Sequence, residues 1–308
     1  MRTCLLFARV SAFAAGGTTA PAAVALNVSR DIRPSFSDNG FKGHGADAAA
    51  REAKRRLELR AEALAEATAA SIELLHCASL VHDDLPCFDD APTRRGQPSV
   101  HSAYGQSLAV LAGDALIVLA FQSLARAAHT SPARLPGLLD TIASGVGMPF
   151  GIVAGQAWES EPKVSLTDYQ RAKTGALFVA ATAAGAQAAG ADPLPWRALG
   201  DWLGEAYQVA DDIRDVMADP QLLGKPTGQD ISLGRPSSAI DLGLAGAIEH
   251  FESLVDAASK SVPDGPSAEA LRKLVRLESE RLVPRAACEQ FRKAQTRTPA
   301  TPSKPVAA

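Results

Sequence analysis

The run Ile72-Glu73-Leu74-Leu75-His76-Cys77-Ala78-Ser79-Leu80-Val81-His82-Asp83-Asp84-Leu85-Pro86-Cys87-Phe88-Asp89-Asp90 turns from apolar to acidic within a short span. Upstream, from Arg51 to Val81, helix formers dominate, and Leu64, Ala67, Ile72, Leu75 and Ala78 recur at three- to five-residue steps. That spacing lays one apolar face along a helix. Pro86 ends the helix, and Ala91-Pro92 keeps the next segment extended. Asp83 and Asp84 therefore fall on the last helical turn, where the backbone already carries partial negative charge. The turn at Pro86 brings Asp89 and Asp90 back towards them. So much clustered carboxylate calls for a cation, and aspartate oxygens suit a hard one, Mg²⁺ or Ca²⁺. The spacing is not that of an EF-hand loop, which Leu85 and Phe88 would spoil.

Outward from this run the chain repeats the same theme. Helical stretches are predicted at about 101–129, 135–160, 165–190, 196–218, 236–260 and 266–293, with Pro132, Pro136, Pro193, Pro195, Pro220, Pro226, Pro236, Pro263 and Pro266 between them. No stretch alternates with period two between turn signals, so strands are absent or trivial. The prediction is a single large all-α domain over 46–294, an irregular leader over 1–45, and a Thr/Pro/Ala-rich tail over 295–308. The apolar fraction is 46% with only 5% aromatic residues, which suits closely packed helices built on Ala, Leu and Val.

A second acidic cluster, Asp211-Asp212-Ile213-Arg214-Asp215, lies inside a predicted helix, with Gln208 three residues before Asp211 and on the same side. Each cluster has basic company. Arg94-Arg95-Gly96 follows the first and Lys225 the second, while Lys173-Thr174-Gly175 sits in the middle of the chain. Carboxylates, Mg²⁺, Arg and Lys together are what a diphosphate needs: the metal bridges phosphate oxygens to aspartates and the cations neutralise the rest. No Gly-x-x-x-x-Gly-Lys-Ser/Thr loop is present.

The net charge of −3 argues against a nucleic-acid partner. Cys4, Cys77, Cys87 and Cys288 form no CxxC pair, which fits neither a zinc site nor a disulfide framework and favours a reducing, cytoplasmic setting. No run approaches the roughly 18 apolar residues of a membrane helix, so no membrane span is expected. Residues 1–30 hold Arg2, Arg9 and Arg30 and no acid, so organelle targeting stands as an alternative to a plain leader.

The stretch from Glu73 to Pro86 with Asp89 and Arg94-Arg95-Gly96 resembles the first aspartate motif of trans-isoprenyl diphosphate synthases. Ala112-Gly113-Asp114, Gly155-Gln156, Lys173-Thr174-Gly175, Tyr207 to Asp212 and Gly224-Lys225 are similar to that family's later landmarks, in order, over roughly 65–290. The closest likeness is to bacterial geranylgeranyl diphosphate synthases. The resemblance implies antiparallel helices around a central cavity and a homodimer. It implies that Asp83, Asp89 and Asp211, supported by Asp84, Asp212 and Asp215, hold Mg²⁺ against an allylic diphosphate gripped by Arg94, Lys173 and Lys225. His76 and Arg95 would contact isopentenyl diphosphate, and Thr174 and Gln208 would stand beside the reacting carbon. Ala78, five residues before Asp83, occupies the position where an aromatic side chain would floor the cavity. Alanine leaves it open and favours a C20 product, carotenoid or chlorophyll supply being the pathway that the likeness suggests.

One landmark is missing. The family's Gly-Gly-Lys/Ala-Arg-x-Arg-Pro string has only Arg30-Asp31-Ile32-Arg33-Pro34 as a counterpart, without the glycines and further upstream. Those arginines can be read as serving through a longer loop, as a weakened isopentenyl site, or as the mark of a non-catalytic partner subunit. A farnesyl diphosphate synthase and a terpene cyclase are the alternatives within enzymes. The all-aspartate second cluster and the paired arginines speak against a cyclase.

Overall fold

The computed structural model describes residues 46–129, 131–161, 165–217, 238–265 and 268–284. Arg30, Arg33 and Lys225 lie outside them, as do Cys4, Cys288 and the stretches expected as leader and tail. The described chain is helical almost throughout. Helix α1 spans Ala46–Asp83, α2 Val100–Tyr104, α3 Gln106–Ala128, α4 Leu135–Val146, α5 Ile152–Trp158 and α6 Leu166–Gln170. A π-helical turn, Arg171–Gly175, leads into α7 (Ala176–Ala189), followed by α8 (Arg197–Met217), α9 (Ser238–Asp241), α10 (Gly243–Ser261) and α11 (Ala268–Leu282). The single sheet among the described residues is a two-residue hairpin, β1 (Thr93–Arg94) against β2 (Gln97–Pro98).

Three stretches predicted as continuous helices are broken, one of them (236–260) at Leu242, between α9 and α10. Gly105, at φ 88°, separates α2 from α3. The stretch predicted at 135–160 divides at Gly147 to Gly151, where the Met148–Pro149 peptide is cis. Pro136, expected between elements, instead sits at the start of α4, where proline's missing N–H costs no helical bond.

Helix α7 is the axle of the fold. Ala180, Ala181, Ala183, Ala184, Ala186 and Ala188 are all buried, as a helix surrounded on every side must be. It packs on α1, α4 and α8, while α1 packs lengthwise on α3, and α8 on α10. Small side chains make the approach possible. A Cβ on Gly145 would stand 2.5 Å from the Ala180 Cβ, and one on Gly204 2.7 Å from the Gly175 Cα. Around α7 the core is filled by Leu64, Ile72, Leu75, Leu124, Leu138 and Ile142, each essentially inaccessible. Each such burial is worth roughly 1.5–3 kcal/mol relative to exposure.

The expectation about apolar runs needs correcting. Ala63–Asp83 and Gln106–Ala127 are both long and apolar enough, by length and composition, to cross a membrane. Leucine, valine, isoleucine and alanine supply that apolarity without an unbroken apolar run, since polar residues such as Glu66, Glu73, Asp114 and Gln122 interrupt both segments. The first of these segments is mostly buried in the fold, whereas α3 exposes Val110, Leu111 and Val118 along one side.

Candidate active site

Helix α1 delivers Asp83 and Asp84 at its last turn, and the chain then folds back on itself. The Asp89 N–H donates to the Asp83 carbonyl at 3.0 Å and the Ala91 N–H to the Asp84 carbonyl at 3.2 Å. This closed loop is what returns Asp89 to Asp83. The hairpin follows, turning through Arg95 and Gly96 at φ 53° and 73°. Two successive left-handed residues make the tight turn that matches strand twist. Glycine takes that conformation freely, whereas for arginine it costs on the order of 1 kcal/mol. The turn sends Arg94 back over the aspartates. Its Nε donates to Asp84 Oδ1 at 2.9 Å, and its Nη2 lies 3.6 Å from Asp83 Oδ2.

The two aspartates differ. Asp84 is 3% exposed and locked onto Arg94. Burial pushes its carboxyl above the usual range despite the opposing pull of Arg94. Asp83 is raised as well, first by burial and then by the charges of Asp89 and Glu159, with Lys173 and Arg94 opposing. Burial works against the charge on Arg94, but Asp84 and Asp83 outweigh it and raise its pKa.

From the other side, α5 presents Gln156, whose Nε2 donates to Asp83 Oδ1 at 3.1 Å and to Glu159 Oε2 at 3.2 Å. Glu159 Oε1 accepts from both Tyr169 Oη and Lys173 Nζ. Lys173 Nζ also stands 3.7 Å from Asp83 Oδ1. Burial, aided by Glu159 and resisted by Lys173, moves the Tyr169 phenol up to about 12. Neither Glu159 nor Tyr169 stands out in the sequence as a site residue. The one signal that points to Glu159 is its place three residues after Gln156, on the same helical face.

Lys173 and Thr174 are neighbours on the π-helical turn, and they face opposite ways in function. Lys173 reaches the first cluster. Thr174 Oγ1 donates to Gln208 Oε1 at 3.1 Å, and Gln208 Nε2 donates to Asp212 Oδ1 at 3.2 Å. Asp212 Oδ2 accepts the Ser238 backbone N–H at 2.7 Å. The two acidic clusters are thus joined through two consecutive residues of one turn. Within the second cluster, Asp211 is the more open carboxylate and pairs with Arg214 at 2.9 Å, whereas Asp212 and Asp215 are buried. Gly155 keeps α5 against the turn: a Cβ there would lie 2.4 Å from the Lys173 backbone nitrogen.

His76 lies two turns back along α1. Burial first, then the charges of Arg95 and Arg94, lowers its pKa to about 4, so the ring is neutral at pH 7. Its buried Nδ1 has no hydrogen-bond partner among the described residues. Ala78 is 2% exposed and belongs to the apolar cluster of Cys77, Val81, Ala109, Ala112 and Leu116 between α1 and α3.

The polyprenyl synthetase family model matches residues 46–268. The chain belongs to that family. It is 52% identical over 222 residues to a geranylgeranyl diphosphate synthase of Cereibacter sphaeroides, a match covering 72% of this chain and 77% of the relative. A geranylgeranyl diphosphate synthase of Rhodobacter capsulatus is 46% identical, covering 72% and 76%. Among solved structures, a geranyltransferase from Helicobacter pylori complexed with magnesium and isoprenyl diphosphate superposes with a TM-score of 0.65 at 28% identity, covering 90% of this chain and 84% of that one. The helical prenyltransferase expected from the aspartate motifs is therefore what this polyprenyl synthetase is.

The donor set of the two acidic clusters suits a hard divalent ion: their candidate ligands are carboxylate oxygens. No three His, Cys, Asp or Glu side chains among the described residues converge as a ready-made cage.

Proposed function

We propose that this prenyltransferase condenses isopentenyl diphosphate with an allylic diphosphate, farnesyl diphosphate being the primer, to give the C20 geranylgeranyl diphosphate. The observation that carries the reading is the Lys173–Thr174 pair, one residue aimed at each acidic cluster. Asp83, Asp89 and Asp211 would hold Mg²⁺, with Asp84 and Asp215 behind them and Asp212 next to Asp211. The ion would supply charge stabilisation for a departing diphosphate.

The chain's own residues do the rest. Arg94 and Lys173, with Lys225 beyond the described residues, bind the allylic diphosphate as its C–O bond breaks and the electron pair leaves with the phosphate oxygen. Thr174 and Gln208 line the carbon that becomes cationic. Arg95 and neutral His76, whose Nδ1 has no hydrogen-bond partner among the described residues, hold isopentenyl diphosphate so that its double bond adds to that carbon. A proton is then lost to the released pyrophosphate. No protein nucleophile takes part. Ala78 leaves room below the first cluster for the longer chain.

The exposed side of α3, with Leu111 58% and Val118 56% exposed, suits a second copy of this chain. Cys77 and Cys87 are unpaired thiols, in keeping with a reducing cytoplasm.

The test is incubation of the purified protein with Mg²⁺, farnesyl diphosphate and isopentenyl diphosphate, followed by chromatography of the dephosphorylated products. A C20 alcohol, absent with D83A, is expected. Mg²⁺-dependent binding of farnesyl diphosphate without product would make the chain a partner subunit instead.

A further inference from the structure

From the hydrogen-bond polarity of the second cluster, we infer that Asp212 is a positioning residue that fixes which end of the Gln208 amide faces the reacting carbon, rather than a metal ligand. The inference rests on the functional reading above, in which Thr174 and Gln208 line that carbon. An amide's oxygen and nitrogen ends are nearly the same size, so neighbouring donors and acceptors decide its orientation. Thr174 cannot decide it, because a hydroxyl both donates and accepts. A carboxylate only accepts. Asp212 Oδ1, 3.2 Å from Gln208 Nε2, therefore forces the NH₂ end towards itself and the carbonyl oxygen towards Thr174 Oγ1 at 3.1 Å. Asp212 cannot rotate away, since its Oδ2 accepts the Ser238 N–H at 2.7 Å, at the first residue of α9. Both oxygens of this 2%-exposed side chain are thus spoken for by protein donors. The outcome is a carbonyl dipole and a threonine oxygen with their negative ends at the place where positive charge develops.

Asp212→Asn reverses that polarity. The oxygen of the substituted amide must stay on the immobile Ser238 N–H, which leaves its NH₂ facing Gln208. Gln208 then turns over, gives its oxygen to that NH₂ and points N–H groups at Thr174. Losing one preorganised dipole of this kind slows a reaction by about 10²-fold. The double variant D212N/Q208E restores the pattern: the amide introduced at position 212 donates to one oxygen of the carboxylate introduced at position 208, and the other oxygen accepts the Thr174 hydroxyl. The charge has merely moved one helical turn.

The experiment compares wild type, D212N and D212N/Q208E in C20 synthesis, with Mg²⁺-dependent binding of farnesyl thiolodiphosphate, an analogue that resists ionisation, measured by calorimetry. D212N is expected to lose kcat by about 10²-fold, with KM for both substrates and analogue affinity at saturating Mg²⁺ within twofold of wild type. The double variant should regain at least ~10-fold over D212N, a coupling of the size contacting residues show. Loss of Mg²⁺-dependent analogue binding in D212N would mark Asp212 as a metal ligand and overturn the inference. An unrescued double variant that folds and binds the analogue would overturn it too. Should D212N fail to fold, the double variant, in which every donor again meets an acceptor, decides alone: folded and active supports the inference, folded and inactive sinks it. Wild type without turnover would instead fail the functional reading, and would be seen before either variant is compared.

Discussion

Gly155→Ala is a one-carbon change with consequences that can be worked out from contact distances. The added Cβ would meet the Lys173 backbone nitrogen at 2.4 Å, its Cα at 2.5 Å and its Cβ at 2.8 Å. Ordinary contact begins near 3.4 Å, so α5 and the π-helical turn must part by about 1 Å. The obstacle is backbone, which cannot swing aside as a side-chain tip can. Overpacking of this kind costs roughly 1–3 kcal/mol, partly offset by the ~0.5–1 kcal/mol that alanine gains over glycine inside a helix. A net loss of about 1–2 kcal/mol lowers the melting temperature by roughly 2–6 °C in a chain of this size. The effect on catalysis is larger, because the displaced turn carries both Lys173 and Thr174. A misplacement of about 1 Å can cost on the order of 10² in rate. Gly137→Ala serves as control: its Cβ would meet only the Gln187 side-chain amide, Nε2 at 3.2 Å, the movable end of a side chain. The assay is C20 product formation alongside calorimetric melting of both variants. Were G155A to melt with wild type and keep kcat within twofold, α5 would not be what positions Lys173 and Thr174.

Three further outcomes are expected. On the proposed reading, in which Ala78 leaves the product cavity open, A78Y should move the main product from C20 to C15, read by chromatography; an unchanged spectrum would mean that Ala78 only packs against α3. R94A strips Asp84, 3% exposed, of the guanidinium bound at 2.9 Å, and leaving a buried carboxylate unpaired should cost about 3 kcal/mol by denaturant melts. R94A/D84N should recover stability without recovering activity. For pH, His76 has a folded pKa of about 4 against an ordinary 6.5. The unfolded chain therefore binds the proton more readily between these values, so stability is full above pH 6.5 and falls as pH drops towards 4. The loss approaches ~3 kcal/mol at most, and H76Q should flatten that part of the stability profile.

The helical class is legible in the sequence because its determinants are local. Apolar spacing along α1 and prolines between helices need no tertiary information. The breaks that the spacing does not reveal have local causes of another kind: Gly105 at φ 88° and Gly243 at φ 66° are backbone states that hydropathy does not report. A search for an unbroken apolar run likewise overlooks Gln106–Ala127, whose apolar residues are interrupted by Asp114, Gln122, Ser123 and Arg126. At the site, Asp83, Arg94, Lys173, Thr174 and Gln208 can be picked out by residue type and order. Who bonds to whom is beyond the sequence. Asp83 and Asp84 look equivalent there, yet one is locked onto Arg94 while the other also meets Gln156 and Lys173. Asp211 and Asp212 part in the same way, because adjacent positions on a helix point about 100° apart and only one can look outward.

That same divergence explains why the site is built around a π-helical turn flanked by glycines. Consecutive residues on a helix cannot share a face, so a turn lodged between two acidic clusters can serve both with adjacent side chains. Lys173 and Thr174 do this. Such a turn must sit close to both walls at once, and a Cβ on either wall would push it away. Gly155 on α5 and Gly204 on α8 remove that Cβ on each side, the first against Lys173 and the second against Gly175. An extra residue in the helical ladder, as in a π turn, is seldom kept without a use. Here it lets the segment present a cation to the carboxylates of α1 and a hydroxyl to the amide of α8. The small residues that make α7 the axle of the fold thus continue into the turn before it. The packing that closes the core and the packing that aims the two functional side chains are therefore one interaction, which is why a single methyl group at residue 155 should disturb both.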